Sequence, residues 1–156
     1  MSTTTYPPPV GKLLTCGDPR LMQGQGWPDY LALGLGPEHI PDLIRMALDE
    51  ELHWADSDSR EVWAPIHAWH ALGQLRAEAA IEPLIGLLHR IDDDEDDWVD
   101  EELPEVFSMI GPAAIAPLAA FLAFLGLFDY VRFGNPLDIG HVTYSLQFNT
   151  PLWEGL

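Results

Sequence analysis

His67 and His70 stand three residues apart, and on a helix that spacing brings both imidazoles to one face, where they can share a metal ion. A metal centre needs more than two protein ligands, and no third lies at a neighbouring helical offset. Ala68 follows His67, so there is no HExxH pattern and no general base for metal-assisted hydrolysis. The pair is a weak metal candidate. Surface or groove histidines near Trp63 and Trp69 are the favoured reading, and no metal or cofactor is expected.

Carboxylates are the other reactive group in quantity. Asp92, Asp93, Asp94, Glu95, Asp96 and Asp97 form one run, and Asp49, Glu50, Glu51, Asp56 and Asp58 form a second, looser one. Asp56-Ser57-Asp58 begins like a calcium loop, but the glycine and closing glutamate of an EF-hand are missing at their offsets. Trp54, Trp63, Trp69 and Trp98 cluster around these runs. Most such indoles pack between helices; one left exposed among carboxylates suits a segment rich in Arg or Lys. Asp56, Asp58, Asp92 to Asp97, Trp54 and Trp98 are therefore the expected partner contacts. No catalytic residue is expected: the chain has no phosphate loop and no GxSxG, and Cys16 has no neighbouring histidine.

The overall charge points the same way. Asp plus Glu number 25 against 7 Lys plus Arg, a formal charge of −18, so a basic stripe for nucleic acid cannot be assembled. The same field attracts basic protein and repels an anionic membrane. A single cysteine excludes an internal disulfide, and the first residues lack the charged start and apolar stretch of a secretory signal; the expected compartment is the cytoplasm. Val106 to Phe128 carries no charge and is long enough to span a bilayer. Gly111-Pro112, Pro117 and Gly126 interrupt it, and no Lys or Arg anchors its near side, so no membrane span is expected.

The elements that position these residues repeat. Gly36-Pro37-Glu38-His39-Ile40 recurs as Gly111-Pro112-Ala113-Ala114-Ile115, with Ala77-Glu78-Ala79-Ala80-Ile81 a looser copy. With the three isoleucines in register, Leu43, Leu84 and Leu118 align, as do Ile44, Ile85 and Ala119, and Ala47, Leu88 and Leu122. Those offsets mark one helix face. A second helical segment precedes each copy, at Pro28 to Leu33, Glu61 to Leu72 and Asp100 to Ile110, with Pro104 shortening or kinking the last. The chain divides into an extended Pro/Gly-rich leader (1–26), a helical repeat domain (27–124) and a non-repeat tail (125–156). In the tail, Leu127 to Phe133 and the alternating run Val142 to Phe148 are read as a hairpin or cap, with self-association as a further role.

Ala71-Leu72-Gly73-Gln74-Leu75-Arg76, Ala80-Ile81-Glu82-Pro83-Leu84-Ile85 and Leu87-Leu88 resemble the HEAT-repeat signature, especially its bacterial phycobilisome-lyase-like variant. The resemblance covers residues 27 to 124 and is clearest in the second unit. It implies an all-α, right-handed solenoid of about three helical hairpins, whose curved surface binds other proteins. Asp42, Arg45, Glu82, His89 and Arg90 then face the groove, with the acidic loops as a rim beside it. The expected function is a non-catalytic scaffold for a basic or amphipathic protein. The alternative is a lyase-type or metal-dependent helper enzyme acting on a small molecule in the groove.

Overall fold

The computed structural model describes residues 5–19, 27–90 and 97–134. Among these the chain is all-α, with no strand. Asp92 to Asp96 and Val142 to Phe148 lie outside the described residues. The chain divides into two compact units, Met1–Ile115 and Ala116–Leu156.

The α-helices are α1 (Ile40–Ala47), α2 (Glu50–His53), α3 (Ala64–Gln74), α4 (Ile81–Ile85), α5 (Asp97–Ile110) and α6 (Ile115–Phe133). Helix α3 is the centre of the first unit. Its residues from Ala64 to Gly73 are all buried, and it packs against both α1 and α5. A helix without a polar face is stable only when covered on all sides. The cover is specific: Trp69 donates its indole N–H to the Ala47 carbonyl of α1 at 2.9 Å, and a Cβ on Gly73 would meet Met109 of α5 at 3.2 Å. Close approach of α3 and α5 therefore depends on that glycine. The helix ends in a Schellman arrangement, Ala77 N–H to Leu72 O and Arg76 N–H to Gly73 O, with Arg76 at φ 50°.

The isoleucine-anchored copies share one local form. Each opens with a three-residue 3-10 turn, Pro37–His39, Glu78–Ala80 or Pro112–Ala114, and each α-helix begins at its isoleucine. Pro41, Pro83 and Pro117 sit in the first turns, where the missing N–H has no helical acceptor. Burial differs among them. Leu43, Ala47, Ile81, Leu84 and Ile85 are in the core, whereas Ile115 is 67% and Leu122 65% exposed, so the third stripe is uncovered. Helix α4 ends sooner than its periodicity predicts because Gly86 follows Ile85.

Several expectations are corrected. The leader is not extended: Val10–Thr15 forms a 3-10 helix against α3, burying Val10 and Leu13. Tyr6 fastens it, donating to Asp49 at 2.7 Å. Pro28 to Leu33 is a turn rather than a helix, because Asp29 accepts from Ala32 N–H and Gln74 binds both Tyr30 N–H and the Pro28 carbonyl. Pro104 lies inside an unbroken α5. Leu127 to Phe133 is helical, not a strand, and neither Pro117 nor Gly126 interrupts α6. Pro112–Arg132 is long and apolar enough to cross a membrane, with 6% of its apolar window buried.

Candidate functional site

His67 and His70 are both fully buried in α3, which corrects the surface or groove reading. Nor do they converge on a common point. His67 accepts from the Tyr30 hydroxyl at Nδ1 (2.6 Å) and donates from Nε2 to the Gly17 carbonyl (2.8 Å), so both of its nitrogens are engaged. No lone pair remains for a metal. His70 donates from Nε2 to Glu102 at 2.9 Å and lies flat against Trp27, ring centroids 3.5 Å apart. Its Nδ1 is buried without a hydrogen-bond partner.

This geometry sets the protonation states. Burial lowers both histidines, His70 to about 3, with the neighbouring His67 adding to the effect there. Protonating His70 Nδ1 would bury an N–H with no acceptor, whereas the neutral ring satisfies Glu102 through Nε2–H alone. Burial also pushes the Tyr30 phenol and the Cys16 thiol up. Cys16 is thus held as the poorly nucleophilic thiol. The cluster joins the leader, the Tyr30 turn, α3 and α5. Among the described residues no group of three or more His, Cys, Asp and Glu side chains is placed to hold a metal.

The solvent-facing site lies elsewhere, where α2 ends and α5 begins. Asp49 caps α2 by accepting from Leu52 N–H, and Trp54 follows the helix directly. His53, 3% exposed, turns its ring edge-on to Trp54 (4.8 Å) and to Trp98 (5.6 Å), and Trp63 lies 4.9 Å from Trp98. His53, Trp54, Ala55, Ser57, Val62, Asp97 and Trp98 line a cleft of about 310 Å³. Trp54 is 57% exposed, and Asp56, Asp58 and Asp97 are also exposed. A second cleft of about 460 Å³ lies across Ser57, with Cys16, Asp18, Asp58 and Arg60 among its lining.

Sequence-expected contacts therefore divide. Trp54, Trp98 and Asp97 line one cleft, whereas Asp58 lines the second and Asp56 lines neither. Arg45 is engaged internally, its guanidinium 4.4 Å from the Tyr6 ring and 3.0 Å from Asp42. Arg90, expected to face outward, is 3% exposed and bonds Glu50 at 3.2 Å. Glu82 and His89 are exposed but do not line the cleft. His53 also lines this cleft, and its adjacency to Trp54 is the one signal of that in the sequence. No family model matches the chain, and no curated protein or solved structure does either.

Proposed function

We propose that this is a cytoplasmic, non-catalytic interaction module that binds a basic segment of another protein at the Trp54/Trp98 cleft. The three turn-and-helix copies are read as units of a short HEAT-like array presenting that cleft. One observation carries the reading: the exposed indole of Trp54 lines a cleft with Asp97, and exposed Asp56 and Asp58 follow Trp54 closely in the sequence, in a chain of net charge −18. Exposed aromatic area costs solubility unless it is used, and carboxylates beside it favour cationic partners over neutral ones. Neither phosphate nor an anionic lipid surface suits this field.

Titration of the full chain with a Lys- and Arg-rich peptide tests it. Binding is expected at low ionic strength and weakens with added salt, since exposed charges are screened beyond about 8 Å at physiological ionic strength. Equal affinity for a neutral peptide, or no binding at low salt, overturns the reading.

A further inference from the structure

We infer that the cleft between Trp54 and Trp98 receives the side chain of one arginine of the partner, its guanidinium lying on indole and its N–H fork meeting the Asp97 carboxylate. The inference rests on the reading above and makes it specific. Three features favour a planar cation. Two of the walls are indoles, and His53, itself part of the lining, meets both edge-on, which helps fix their positions. Asp97 supplies a carboxylate in the lining, and among the described residues no Lys or Arg lines the cleft. Exposed Asp56 and Asp58 follow Trp54 in the sequence.

Guanidinium is flat and weakly hydrated, and can stack on an indole while donating to a carboxylate in its own plane. An ammonium is compact, strongly hydrated and without a plane to stack, so lysine gains less here. Trp54 is held from below: its backbone N–H bonds Glu50 O at 3.0 Å, and His53 abuts its ring. The wall is therefore formed before the partner arrives, which limits the entropy lost on binding.

The test uses N-acetylated tetra-arginine and tetra-lysine amides with the full-length chain at low salt, followed by isothermal calorimetry. Tetra-arginine is expected to bind more tightly than tetra-lysine. Trp54→Ala is expected to weaken tetra-arginine about fivefold, and Asp97→Asn by a similar factor. Glu78→Gln removes an exposed charge outside the cleft and is expected to change affinity less than about twofold. Because Trp54 is 57% exposed, its removal leaves the fold intact, which circular dichroism verifies. Equal binding of the two peptides overturns the arginine assignment, as does an unaffected Trp54→Ala. Equal losses from Asp97→Asn and Glu78→Gln do so too, pointing to diffuse attraction with the broader proposal intact. Absence of binding by either peptide removes both.

Discussion

The Tyr30 hydroxyl donates to His67 Nδ1 at 2.6 Å, joining positions 37 residues apart inside the core. Because His67 Nε2 is occupied by the Gly17 carbonyl, the imidazole is fixed in one tautomer and ties the Tyr30 turn and the leader to α3. Tyr30→Phe keeps the ring and leaves a buried acceptor without a donor. The expected loss is about 1–3 kcal/mol of unfolding free energy, read from urea denaturation with an unchanged slope. An unaltered midpoint would show that the bond does not hold these segments.

Acid should weaken the fold through the same pair. Burial sets the folded values of His67 and His70 below the ordinary 6.5, that of His70 to about 3. Between those limits the unfolded chain binds more protons than the native one. Stability is therefore intact above pH 6.5 and falls as pH drops through the window, by up to about 1.4 kcal/mol per pH unit for each histidine. His70→Gln retains an N–H donor for Glu102 but cannot titrate, so its acid limb should be shallower than that of the parent. Parallel limbs in thermal melts from pH 7 to 4 would contradict the assignment.

Helix α6 exposes Leu122, Phe124, Leu127, Phe128 and Val131. Apolar surface on this scale promotes association. Against a bilayer, the nearest preceding charges are acidic, Glu102 and Glu105, where a membrane-spanning helix favours Lys or Arg and interfacial anchors. In light scattering the chain should exceed its 17.4 kDa monomer mass, and Leu122→Glu with Phe124→Glu should move it toward that mass. A monomeric parent, or co-flotation with neutral lipid vesicles, would count against self-association.

Helix starts were the most legible feature, because proline and 3-10 chemistry are local: the copies at Ile40, Ile81 and Ile115 announce their first turns in sequence. Burial was less so. Arg90 follows the helical pattern of a surface residue yet is covered, with Glu50 as its ion-pair partner 40 positions away. His67 and His70 show only a spacing; their partners Gly17, Tyr30 and Glu102 come from three separate segments, and spacing does not encode such meetings. The tryptophan cleft was half visible. Trp54 and Trp98 are expected as contacts from their acidic surroundings, but that His53 abuts both rings required the fold.

Two-dimensional NMR of the indole N–H resonances during titration with tetra-arginine tests the central claim most directly. The signals of Trp54 and Trp98 should move and saturate together, while that of Trp69, buried and bonded to the Ala47 carbonyl, stays in place. Stationary Trp54 and Trp98 signals, or equal movement of every indole, would contradict recognition at this cleft.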